Sequence, residues 1–140
     1  MNQNNPNNLE EFKYNFNRIH SLKLKNFRSY DDLKCSFDGR PIVLLGANGS
    51  GKTNILEALS LLSPGRGLRG AAFDQFRNIK GPNEWGIIAE IFSNDQMIKV
   101  STGVSAGRLR GRDVKVNDKK VTSSTALPSI LSLSWVTPSM

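Results

Sequence analysis

The chain has 140 residues, 38% of them apolar, and carries 19 basic against 12 acidic side chains for a net charge of +7. That length accommodates one domain of ordinary size, and the basic excess suits a polyanionic partner such as nucleic acid, although a solvated basic surface gives the same balance. No apolar run reaches 18 residues, no charged-then-apolar leader opens the chain, and the lone Cys35 cannot close an internal disulfide, so a membrane-spanning helix, a signal peptide and a disulfide scaffold are not expected and the cytoplasm is the expected location.

Residues 1–17 begin MNQNNPNN and are expected to form a disordered tail. Residues 18–27 alternate as a strand does, with His20, Leu22 and Leu24 on one face. Asp31-Asp32 reads as a turn, and Leu33, Cys35 and Phe37 alternate as a second strand able to pair with the first. Cys35 reads as a small buried apolar residue. Asp38-Gly39 marks another turn, and 41–45 (PIVLL) is a continuous apolar run of the kind that makes a strand buried on both faces. After the glycine-rich stretch 46–53, residues 54–62 place Ile55, Ala58, Leu59 and Leu62 on one helical stripe. Residues 63–70 (SPGRGLRG) are a loop carrying Arg66 and Arg69, and 71–77 a short helix. Residues 85–92 and 97–104 are two strands joined by a turn at 93–96. Residues 103–112 are loose and basic, with Arg108, Arg110 and Arg112, and 114–121 reads as a hairpin turning at Asn117-Asp118. A short helix over 125–131 and a last strand over 133–136 complete the reading.

Gly46-Ala47-Asn48-Gly49-Ser50-Gly51-Lys52-Thr53 fits Gly-x-x-x-x-Gly-Lys-[Ser/Thr], the phosphate-binding P-loop, and it stands between an apolar run and a helical pattern as that loop requires. Glycines let the backbone turn tightly and approach a polyphosphate, and the amides of such a loop converge as an anion nest at the positive end of the helix. Lys52 supplies a full charge to the β- and γ-phosphates, and the Thr53 hydroxyl is placed to ligate Mg²⁺. The bland alternative is a glycine-rich turn that holds no ligand. The loop arginines Arg66, Arg69, Arg108, Arg110 and Arg112 are candidate contacts to DNA phosphates, or else solvated loop charges.

Leu24-Lys25-Asn26-Phe27-Arg28-Ser29-Tyr30, then a hairpin, then the P-loop continuing into Asn54-Ile55-Leu56-Glu57-Ala58, resembles the ATPase heads of the SMC and RecF group. Ser63-Pro64-Gly65-Arg66-Gly67-Leu68-Arg69 and the closing Leu133-Ser134-Trp135-Val136-Thr137-Pro138-Ser139-Met140 resemble its RecF-like branch. The resemblance spans residues 19–140 and implies an α/β P-loop NTPase fold of the ABC/SMC ATPase-head type, first lobe only, with an antiparallel β portion. It implies ATP and Mg²⁺ held by 46–53, with Arg28 near the nucleotide; from the residues alone, a strand-end arginine there is either a ligand or a surface charge. It further implies an ATP-dependent homodimer that binds single-stranded and gapped duplex DNA in recombinational repair and the SOS response, alongside other recombination mediator proteins and without a membrane. No apolar run ending in Asp-Glu follows the P-loop and no signature motif is visible, so 18–140 reads as the N-terminal part of a head, truncated before those motifs and not expected to hydrolyse ATP by itself. The alternatives from other classes are the ATPase subunit of an ABC-type transporter and a small-molecule kinase; for the latter no substrate lid is identifiable.

Overall fold

The computed structural model describes residues 17–108, 110–131 and 133–134. Its framework is one antiparallel sheet of six strands in the order β2-β1-β3-β4-β5-β6. The strands are β1 (Arg18–Phe27), β2 (Tyr30–Ser36), β3 (Trp85–Ser93), β4 (Gln96–Val104), β5 (Asp113–Val116) and β6 (Lys119–Lys120). Two helices, α1 (Lys52–Ser60) and α2 (Ser123–Ile130), and a 3-10 turn at Phe73–Phe76 accompany it.

Side-chain alternation gives the sheet one dry face. Leu22, Leu24 and Phe27 of β1, Ile87, Ala89 and Ile91 of β3, Val100 of β4 and Val114 of β5 join a single buried cluster with Ala58, Leu61, Leu62, Phe76 and Leu127. An aromatic knot closes one end. Phe27 stacks on Phe76 at 5.7 Å between centroids, and Trp85 meets both rings edge-on at 5.6 and 5.5 Å. The indole N–H of Trp85 donates to the Phe73 carbonyl at 2.6 Å, which satisfies its polar tip inside the core.

Two hairpins turn where expected. Asn94 and Asp95 (φ 50° and 59°) and Asn117 and Asp118 (φ 47° and 66°) are all left-handed, the mirror-image turn whose twist matches a two-residue hairpin. The β1–β2 turn differs from expectation. Asp31 and Asp32 lie within β2, and the chain reverses at Arg28-Ser29, between the paired Phe27 and Tyr30. A short irregularity between Ile19 and Ser21 leaves His20 exposed, off the face of Leu22 and Leu24. Helix α1 begins at Lys52, two residues before the expected 54, with Gly51 as its N-cap. Cys35 is half-buried and packs against the core.

The largest departure is 41–45. These residues form no strand, and Ile42, Val43 and Leu45 are 46%, 76% and 88% exposed. A strand exists only where a neighbour takes its backbone groups, and the six described strands pair among themselves without this run. Leu133 and Ser134 likewise form no strand. The rest of that expected strand, and residues 1–16 of the expected tail, lie outside the described residues.

An exposed apolar, β-branched run is an association hazard. Residues 1–140 alone are expected to self-associate at micromolar concentration, and Val43→Lys with Leu45→Glu is expected to suppress that. Equal light scattering from parent and variant over a concentration series would assign the association to another surface.

Candidate nucleotide-binding site

The glycine loop meets the end of the sheet through the β1–β2 turn, one side chain at a time. Gly51 caps α1 with φ 99°, and a Cβ there would sit 2.5 Å from the Tyr30 hydroxyl and 3.1 Å from Ser29 Oγ, so only glycine fits. Asn54 Nδ2 donates to Ser29 Oγ at 3.0 Å. Burial, with a smaller contribution from Cys35, raises the Tyr30 phenol above its usual range.

Glu57 of α1 completes the junction. It is fully buried, one residue from Ala58 and four from Leu61, which are also buried. Arg28 grips it in a fork, Nε to Oε2 at 2.9 Å and Nη2 to Oε1 at 3.1 Å. The guanidinium also donates to the Gln75 carbonyl at 3.0 Å and lies 4.9 Å over the Phe76 ring. Arg28 itself has φ 52°, a left-handed conformation unusual for a side chain of this size. Its amide is anchored on the Phe76 carbonyl at 2.7 Å. Arg69 Nη1 also lies 3.7 Å from Glu57 Oε2. Its loop is folded back by Leu68 N donating to Ser60 Oγ at 2.7 Å, while Ser60 Oγ donates to the Glu57 carbonyl at 2.7 Å. The sequence reading did not single out Glu57. The signal was there: a carboxylate beside the buried stripe of a helix needs a cation, and the Asn-Phe-Arg segment carries one.

Within the loop, the Lys52 ammonium donates to the Gly46 carbonyl and, at 2.8 Å, to the Ala47 carbonyl. A Cβ on Gly46 would lie 2.7 Å from Ser50 Oγ, whereas one on Gly49 would meet open space. Thr53, in the first turn of α1, is exposed. The donor set therefore suits a nucleoside polyphosphate with Mg²⁺: a lysine folded over its own loop, bare glycine backbone, a helix N-terminus and an exposed hydroxyl next to it. Arg28 does not join Lys52; its donors go to Glu57 and Gln75.

The five loop arginines separate. Arg112 donates to the carbonyls of Leu61 and Ser63 (2.7 Å for the latter) and to Thr102 Oγ1 at 3.1 Å, and lies 5.5 Å over Phe73. It thereby caps carbonyls just beyond the C-terminal end of α1. Burial pulls its guanidinium down to about 10, which leaves it charged at neutral pH. Arg108 donates to Asp113 at 2.6 Å, and Lys120 sits 2.9 Å from the same carboxyl; Lys120 and Arg108 hold Asp113 below the usual carboxylate range. Arg66 and Arg110 are exposed and share with Arg108 and Phe73 the rim of a cleft of about 420 Å³.

Comparison with known proteins defines the class. A family model described as AAA domain matches residues 21–126, and the chain belongs to that family. Its fold is that of a P-loop ATPase head of the ABC/SMC type with an antiparallel β portion. Among curated proteins it is similar to the DNA replication and repair protein RecF of Rhizobium rhizogenes, 39% identical over 123 residues, and to that of Brucella abortus, 41% identical over 126 residues. Each alignment covers 87% of this chain and 33% or 32% of the relative, so the chain spans about a third of these proteins' length. Among solved structures, the recombination mediator protein RecF with ATP matches with a TM-score of 0.72 at 24% identity, over 84% of this chain and 31% of that one. An SMC ATPase, from a study of ATP-driven dimerization and DNA-stimulated activation, matches at 0.66 and 22% identity, over 81% of this chain and 76% of the other. These two likenesses speak for the fold. No described helix is long and apolar enough to cross a membrane, and no described group of His, Cys, Asp and Glu side chains could hold a metal.

Glu57→Gln is expected to destabilise the fold by about 3 kcal/mol, since it leaves the Arg28 fork without its countercharge. Denaturant unfolding of the two proteins measures it, and a difference below about 0.5 kcal/mol would show the pair to be no more than a surface contact.

Proposed function

We propose that this chain is the nucleotide-binding part of an ATP-dependent DNA replication and repair protein. The observation that carries the reading is the glycine loop at the start of α1, with Lys52 folded over it. Support also comes from relatives named DNA replication and repair protein RecF at about 40% identity. Gly46, Ala47, Asn48, Gly49, Ser50 and Gly51 would present backbone amides to the phosphates of ATP, Lys52 would exchange its two loop carbonyls for phosphate oxygens, and Thr53 would hold Mg²⁺. When bound, the metal would neutralise phosphate charge. This chain's residues bind and orient: the Arg28–Glu57 brace fixes the angle of α1, and so the direction of the amides at its start. Release of Arg28 from Glu57 toward the nucleotide is the alternative role for that side chain.

In the whole protein, ATP would drive homodimerisation, and the dimer would engage single-stranded and gapped duplex DNA in recombinational repair and the SOS response, with other recombination mediators, in the cytoplasm. The ATPase subunit of an ABC-type transporter finds no support among the relatives described above.

In the full-length protein, Lys52→Ala is expected to lower ATP affinity at least a hundredfold, and Thr53→Ala to weaken binding mainly in the presence of Mg²⁺. Titration with a fluorescent ATP analogue with and without Mg²⁺ reads both; equal affinity in Lys52→Ala and parent would refute the P-loop assignment.

For DNA, Arg66 and Arg110 are the two loop arginines that make no ion pair among the described residues. Arg66→Ala with Arg110→Ala is expected to reduce the slope of log K against log salt by roughly 1.4 to 1.8, at about 0.7 to 0.9 per lost phosphate contact. An unchanged slope would leave them as solvated charges. Arg112→Ala, by contrast, is expected to act on stability, because its donors are engaged inside the protein.

A further inference from the structure

The outer face of the sheet carries a feature that the P-loop and the loop arginines do not explain. One row of residues crosses all six strands in register: Lys34 is opposite Lys23, Lys23 opposite Ile88, Ile88 opposite Ser101, Ser101 opposite Lys115, and Lys115 opposite Lys120. Lys23, Lys34 and Lys115 are exposed, as is Ile88. Lys23 and Lys34 are directly opposed like charges on neighbouring strands, an arrangement that costs stability.

The acids nearby do not relieve it. Asp32 pairs with Lys25 at 3.2 Å, Asp113 with Arg108 and Lys120, and Asp118 with Lys99 at 2.7 Å. Glu90 accepts from Ser21 at 2.6 Å. Among the described residues Lys23, Lys34 and Lys115 make no ion pair. Four strand spacings of about 4.8 Å put Lys34 and Lys115 about 19 Å apart. That is the length of roughly five to six nucleotides of one strand at a rise of about 3.4 Å.

The next row leaves room between these charges. Gly86 stands opposite Gly103, with Lys25 beside the first and Asp113 beside the second. A Cβ on Gly86 would meet nothing within 4 Å, whereas one on Gly103 would lie 2.3 Å from the Trp85 carbonyl oxygen; both glycines line a groove of about 310 Å³ together with Lys25, Ser101, Ser105, Lys115 and the acidic Glu84 and Asp113. Backbone without side chains lets a phosphodiester chain come close, and the Ser101 and Ser105 hydroxyls offer donors to it.

We propose that this outer sheet face, with Lys115 at the Gly86–Gly103 groove and Lys23 and Lys34 farther along the same row of residues, is a second DNA-backbone site, separate from the arginine loops and the P-loop. It rests on the reading of the protein as DNA-binding. The occupant is a sugar-phosphate backbone because the three free charges are lysines, point cations that seat phosphates without the planar fork that reads base edges. Binding there is independent of sequence, and the like-charge pair Lys23–Lys34 is relieved when a phosphate lies between them.

The test uses the full-length protein and a random-sequence oligonucleotide, single-stranded and duplex. DNA affinity is measured against salt for the parent, for Lys23→Gln/Lys34→Gln/Lys115→Gln, and for Lys80→Gln, an exposed lysine outside the row. The triple variant is expected to lose roughly 2 to 3 units of salt slope, and Lys80→Gln none. A parent that binds DNA and a triple variant with the parent's slope would overturn the site while leaving the function intact; a parent that binds no DNA at any salt would overturn both. Amine acylation read by mass spectrometry keeps the proposal open to failure if the variant folds poorly. In the parent, DNA is expected to protect Lys23, Lys34 and Lys115 at least threefold relative to Lys80, and equal labelling would reject the site.

Discussion

A buried carboxylate is tolerable only when a cation answers it, and the Glu57–Arg28 pair is the constraint on which the rest of this structure depends. Glu57 lies on the P-loop helix and Arg28 at the turn of the first hairpin, so neutralising one carboxylate ties the phosphate loop to the sheet. The same arginine reaches the Gln75 carbonyl and covers Phe76, which draws the 3-10 turn into the junction. Ser29 and Tyr30 then follow as neighbours of Asn54 and Gly51. A helix of nine residues would hold its own orientation poorly; the ion pair gives it one.

The Asn-Phe-Arg segment acquires a physical meaning from this. Asn26 donates its amide to the carbonyls of Pro82, at 2.8 Å, and Glu84, fixing the approach to β3. Phe27 enters the aromatic knot, and Arg28 grips Glu57. Three consecutive residues thus anchor three parts of the chain, with left-handed backbone at Asn26 and Arg28 directing alternate side chains where a regular strand would not. The family resemblance implies an arginine near the nucleotide; in the fold the donors of Arg28 go to the helix that presents the loop and to the Gln75 carbonyl.

Charge on this molecule divides by the same test of what already has a partner. Arg112 is a cap for carbonyls beyond α1, Arg108 part of a cluster around Asp113, and Arg69 a second counterion for Glu57. Arg66, Arg110 and the three lysines of the outer sheet face are among the described cations that make no ion pair. A net charge of +7 therefore understates how unevenly the free positive charge is spread.

Periodicity and turn chemistry in the sequence by themselves determined the strands of the sheet, two of its three hairpin turns and the glycine loop, because each depends on neighbours a few residues away. Arg18–Phe27 and the Asn117-Asp118 turn could be read from alternation and from residues that accept left-handed backbone. Only the tertiary structure decided three things. Residues 41–45 have strand composition but no strand, since pairing needs a partner and composition does not supply one. Glu57 is a buried anchor, and Arg112 an internal cap, because burial and countercharge are set by residues 29 and about 50 positions away. The lysine row exists only once register across β1 to β6 aligns residues far apart in the chain, since electrostatic neighbours in a sheet are chosen by strand pairing and not by sequence distance.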